Sequence, residues 1–188
     1  MPTSGEILYA LYGALRVLRG DVGGFAHFRP GVEGFWTAAW AVLICLPAQL
    51  FMVGVQIVRD PGLDLGMGVL LIEALVFIIV WFGYAFGVHF ALALIAREDR
   101  YFDYMNAVFW TAVPQIYLQF IVTLLETAGM LPGPLAGLAT IGLVVTILWY
   151  RWFVAKIALD VTVGTAIFVV IATLFFEFIL TALLSPVI

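Results

Sequence analysis

Residues 34–58 read GFWTAAWAVLICLPAQLFMVGVQIV, with no charged side chain between Glu33 and Arg59. A helix of that length spans the roughly 30 Å hydrocarbon core of a bilayer. The stretch therefore predicts a transmembrane helix, and the charges elsewhere mark off four more. These are residues 66–96, with Glu73 and His89 inside, then 106–128, 134–152 and 161–184. Turn signals fall between them, RDPG at 59–62 and GMLPGP at 129–134, where Pro and Gly interrupt regular structure. Composition agrees. Of the 188 residues, 65% are hydrophobic and 11% charged, against about 45–50% and about 25% in soluble domains. The expected fold is an all-α polytopic membrane bundle over residues 34–188, with lipid as the solvent for most of it.

Residues 1–33 differ. Ile7, Leu8, Leu11, Ala14, Leu15 and Leu18 recur at helical spacing, and Ser4 with Glu6 resembles a helix start. This predicts an amphipathic helix lying on the membrane interface. Five glycines between positions 20 and 34 predict a flexible connector, with His27 in a solvated loop.

Orientation follows from the basic residues. With five spans, one side carries Arg16, Arg19, Arg29, Arg97, Arg100, Arg151 and Lys156, and the other carries Arg59. Cytoplasmic loops hold the excess of Lys and Arg, so the N-terminus is expected in the cytoplasm and the C-terminus opposite. Trp36, Trp40, Trp110, Trp149 and Trp152 fall near the same interface, and Trp81 lies deeper. Seven arginines against one lysine suggest a GC-rich genome and a bacterial inner (plasma) membrane. Loops 97–105 and 151–160 then face the cytoplasm, making Arg97, Arg100 and Arg151 candidates for a contact surface.

Polar side chains inside the spans carry most of the remaining information. Thr111, Gln115, Gln119, Thr123 and Glu126 follow one slowly drifting helical face. Thr173, Glu177, Thr181 and Ser185 form a second stripe, and Gln49 and Gln56 share a face of the first span. Glu73, Glu126, Glu177 and Gln56 lie in the outer halves of their spans, with Arg59, Asp60 and Asp64 just beyond. The candidate polar intramembrane site is thus Glu73, Glu126, Glu177, Gln49, Gln56, Gln115 and Gln119. Two uses are open: helix-to-helix glue, or a cation or proton site facing outward. His89 lies about 160° around its helix from Glu73 and is expected to hydrogen-bond a neighbouring helix. Gly83 and Gly87 match the small-xxx-small pattern of close helix contact.

No paired-His metal motif, phosphate loop or nucleophile triad occurs in the sequence, and the single Cys45 sits in an apolar run. No cofactor, metal or nucleic-acid partner is expected, and no enzyme activity, although an intramembrane enzyme is a third possibility.

Residues 97–104 (REDRYFDY), the proline-bearing span through Val113-Pro114, and the aromatic stretch 148–152 (LWYRW) resemble the Ypt-interacting-protein family. The resemblance covers roughly residues 34–184 and implies five membrane spans. Eukaryotic members bind Rab-type GTPases and act in vesicle traffic. Their long cytoplasmic N-terminal region is reduced here to residues 1–33, and Glu98-Asp99 stand where a Gly-Gly pair is usual, so GTPase binding is not implied. The leading functional expectation is a scaffold, assembly factor or accessory subunit. It would act through the lipid bilayer and a membrane-protein partner or a second copy of itself. The alternative is a small transporter or channel for a cation or proton, using the outward acidic patch.

Overall fold

The computed structural model describes residues 2–59 and 66–184. The turn at 60–62, Asp60, Asp64 and Ser185 lie outside the described residues. Among those described there is no strand. The helices are α1 (Ser4–Leu18), α2 (Gly31–Ala39), α3 (Ala41–Arg59), α4 (Met67–Ala93), α5 (Tyr101–Thr127), α6 (Gly133–Ala158) and α7 (Val163–Leu184). Two short 3-10 turns, Val22–His27 and Glu98–Arg100, complete the regular structure. Five helical rods are long and apolar enough to cross a membrane, with α2 and α3 counting as one. The protein is a multi-pass helical membrane protein.

α1 begins one residue earlier than the Ser4 signal suggests. Thr3 is its cap: Glu6 N donates to Thr3 Oγ1 at 3.3 Å, and Thr3 N donates back to Glu6 Oε2 at 2.8 Å. A hydroxyl three residues before a side chain with an acceptor oxygen makes this reciprocal pair. The backbone bond from Thr3, helped by its hydroxyl, holds the Glu6 carboxyl below its ordinary range.

The helix docks on the bundle by its small side, Ala10, Gly13, Ala14 and Val17, with Ile7, Leu11 and Leu18 half-buried against the core, while Leu8, Tyr12 and Leu15 face outward. The glycine-rich connector is held by its own contacts. Asp21 caps the 3-10 turn at Gly23 N (2.8 Å) and pairs with Arg16 at 2.6 Å. These two contacts hold the Asp21 carboxyl below its usual range. The turn folds back onto α1 so tightly that a Cβ on Gly24 would lie 2.6 Å from the Gly13 carbonyl. Glycine serves close approach here rather than flexibility. His27 sits between the rings of Tyr9 (4.4 Å) and Tyr12 (5.2 Å), partly buried.

α1, α4, α5 and α6 share one kind of ending. In each, a residue with positive φ (Gly20, Ala96, Gly129 or Asp160) is followed by an amide that donates back five positions, as Met130 N does to Leu125 O at 3.0 Å. This is the Schellman stop. It places the stops at Ala96 and Asp160, so α6 runs on to Ala158 rather than ending near residue 152. The loop expected at 151–160 is therefore the last part of α6, and Arg151 belongs to the helix. α5 likewise starts at Tyr101, and Asp103 in its first turn accepts from Gly31 N at 2.7 Å. Charges at these places do not end a span, because each has a partner within the fold. Asn106 Nδ2 donates to the Arg29 carbonyl and draws α2 onto α5.

The spans close a ring in the order α3, α4, α7, α6, α5 and back to α3, with little contact across it between α4 and α5. Gly83 and Gly87 face α7, where Leu180 and Phe176 fill the space that side chains would need. The turns after α4 and α6 meet at one end, where Arg97 donates to the Asp160 carbonyl at 3.0 Å. α1 packs at that same end, and Tyr150 O–H donates to Ala14 O at 2.6 Å. Trp110, which the sequence places at the interface, is instead 1% exposed in the core beneath α1. His89 is exposed and touches Tyr101 edge-on at 5.4 Å, with no hydrogen bond among the described residues.

Packing is uneven along the ring axis. Moving away from the α1 end, the last buried residue is Trp81 on α4, Gln115 on α5, Tyr150 on α6 and Thr173 on α7, whereas α3 stays buried as far as Val53 and Ile57.

Candidate functional site

The ring holds a cavity of about 350 Å³, and all five spans contribute to its wall. α3 gives Gln49, α4 gives Glu73, Phe77, Trp81 and Tyr84, and α5 gives Tyr104, Thr111, Gln115 and Gln119. α6 gives Arg151, and α7 gives Thr173, Glu177 and Thr181.

An ion pair crosses this space. Arg151 Nη1 donates to Glu177 Oε2 at 2.7 Å, joining α6 to α7. Tyr84, Tyr104 and Thr173 cluster beside it. Arg151 lies seven residues, about 10 Å, from the end of α6, and Glu177 about 21 Å from the start of α7 at 1.5 Å per residue. The two side chains reach toward each other along the axis, so their charges meet near mid-membrane. Bare carboxylate or guanidinium there costs about 2.5–3.5 kcal/mol on insertion scales, and mutual pairing offsets it.

Other polar groups of the cavity bond within their own helices. Thr111 Oγ1 donates to Ala107 O (2.7 Å), Gln115 Nε2 to Thr111 O (3.0 Å), Thr173 Oγ1 to Val170 O (3.0 Å) and Thr181 Oγ1 to Glu177 O (2.9 Å). Side chains satisfied this way do not tie one helix to the next. Tyr84 is the exception, reaching Thr173 on α7 and Tyr104 on α5.

The structure divides the acidic patch expected from sequence. Glu73, Glu177, Gln49, Gln115 and Gln119 share the cavity, whereas Gln56 and Glu126 stand outside it. Glu126 is at the far rim, 4.0 Å from Arg59 on α3, and accepts from Thr140 Oγ1 on α6 at 3.4 Å. There it fastens three helices, which is the glue role. The three basic candidates also part. Arg97 holds the Asp160 turn, Arg100 is 3.7 Å from Asp99, and Arg151 leaves the surface for the cavity.

Phe77, Trp81, Tyr84, Tyr104 and Arg151 are among the lining residues that sequence reasoning did not assign to the site. For Arg151 a signal existed. The apolar run continues on both sides of it, Leu148-Trp149-Tyr150 before and Trp152-Phe153-Val154 after, the pattern of a charge inside a span rather than at its end. No comparable signal marks the tyrosines, since their hydroxyls matter only once α4 and α5 face one another.

No protein-family model matches the chain, and neither a curated protein nor a solved structure matches it.

Proposed function

We propose that the protein is a small transporter or gated channel that admits a polar solute of net positive charge from the far end of the bundle. One observation carries this reading: polar side chains from all five spans line one cavity, with the α6–α7 ion pair among them. With Arg151 and Glu177 neutralising each other, Glu73 leaves the lining one negative charge in excess. A ligand of opposite sign is the natural guest. The α1 end carries Arg16, Arg19, Arg29, Arg97, Arg100 and Lys156 against Arg59 at the far rim. That bias supports a cytoplasmic α1 end in a plasma membrane, so the cavity would open away from the cytoplasm.

A scaffold or accessory role is the second reading, supported by the outward stripe Leu8, Tyr12 and Leu15 on α1. Cysteine placed at Gln119 in a C45A background, in sealed vesicles, separates the two. Under the transport reading Q119C reacts with a charged thiol reagent from the far side, and charge flux in proteoliposomes falls in E177Q. An unreactive Q119C, unchanged flux and a stoichiometric partner recovered from native membrane would reverse the order.

A further inference from the structure

Glu73, Phe77 and Trp81 stand four residues apart on α4 and so share one face, and all three line the cavity. The Phe77 ring packs on Trp81 at 5.6 Å, and Trp81 stacks on Phe109 of α5 at 5.3 Å with 26° between their planes. Among the described residues Glu73 has no ion-pair or hydrogen-bond partner, whereas Arg151 and Glu177 are spent on each other. Glu73 is six residues, about 9 Å, inside the far end of α4, and the rings follow it inward. A solute descending into the cavity meets an unpaired carboxylate and then an aromatic wall.

We propose that the solute is a small organic cation, an alkyl-substituted or methylated ammonium, with its charge at Glu73 and its carbon substituents against Phe77 and Trp81. This rests on the reading that the cavity admits a solute, and it names the class. A metal cation such as sodium must exchange its water for several oxygens. Along α4 the neighbours of Glu73 in the wall are Val76, Phe77 and Val80, the cavity's amide oxygens of Gln49, Gln115 and Gln119 stand on other helices, and the hydrogen bonds of α4 occupy its carbonyls. An alkylammonium is weakly hydrated, its charge is attracted to ring faces, and its carbons gain from leaving water.

Trp81 lies in the wall and reports the event. The full chain, purified in detergent, is titrated with tetramethylammonium, choline and sodium chlorides at constant ionic strength, and the W81F signal is subtracted from the emission. Tetramethylammonium and choline produce a saturable Trp81 change and sodium does not. E73Q weakens that binding at least about tenfold, as loss of a desolvated charge partner does, and E73D retains most of it. F77L weakens it about three- to tenfold, and E126Q, outside the cavity, leaves it unchanged. Equal responses to sodium and tetramethylammonium, or binding that survives E73Q, overturn the proposal. Q119C labelling tells the two failures apart. A reactive Q119C with no response to organic cations refutes the class but leaves the open cavity standing. An unreactive Q119C with no response refutes both.

Discussion

Exchanging Arg151 and Glu177 for Gln, singly and together, measures whether their bond is made at mid-membrane depth. Their charge centres, about 4 Å apart, attract by about 4 kcal/mol at an effective dielectric of 20. Desolvation opposes this, and the pair is partly shielded, with side-chain exposures of 27% and 35% to the cavity. A fully buried pair loses about 3–5 kcal/mol when one partner is removed, whereas a surface pair is worth about 0–1 kcal/mol. The geometry lies between, so each single substitution should cost about 2 kcal/mol. The double variant should cost much less than their sum, with a coupling of about 1.5–3 kcal/mol. Reversible unfolding in mixed detergent micelles provides the numbers for a double-mutant cycle. Additivity within about 0.5 kcal/mol would refute the reasoning, because independent sites add to that accuracy. The charges would then be separately hydrated, and the pair would have no part in closing the base of the cavity.

Four further outcomes follow from the packing. G87A should destabilise the bundle by about 1–3 kcal/mol, because its Cβ would meet the Phe176 ring, while G54A, facing open space, should be near neutral in the same micelle assay. Y150F removes the buried bond to the Ala14 carbonyl and should cost about 1 kcal/mol, read also as faster proteolysis of the segment 1–30. A96G relieves a positive φ of 53° that Ala adopts at strain and should stabilise by about 0.5–1 kcal/mol. Acid should loosen α1 first. Glu6 and Asp21 have depressed folded values, so their contribution is present above the ordinary carboxylate range and is lost as pH falls through the folded values. Protection of the α1 amides from hydrogen exchange should drop there in the wild type and much less in a T3A/D21N variant, whose α1 is already loosened.

The spans were legible because lipid imposes one rule, a long uncharged run, which residues 34–58 obey without exception. Their ends were less so. Arg151 and Asp103 look like loop markers in a linear reading, since a charge is costly in lipid, but each has a partner contributed by a segment distant in sequence. The polar stripes correctly placed Gln115, Gln119 and Glu177 on inward faces. They could not say that Glu126 would turn to Arg59 at the rim while Glu73 stayed alone, because helix periodicity fixes a direction around the axis and not the neighbour found there. In α1 the stripe marked Leu11 and Leu18, which pack on the core, but not the closest contacts, which Ala10, Gly13 and Ala14 make on α5 and α6 by being small.

The circular order of the helices has a consequence for biosynthesis. α4 emerges second among the spans, yet its largest neighbour is α7, the last. Until α7 is inserted, the groove at Gly83 and Gly87 has nothing to receive but lipid tails or an insertion factor, and α5 and α6 must assemble on α3 with the ring still open. A ribosome halted before Val163 would leave an arc of four spans with its seam unsealed. Such nascent intermediates should be held by membrane chaperones and degraded if released. Substitutions on the α4–α7 seam would then lower the amount of protein in the cell well before they altered what the finished molecule does.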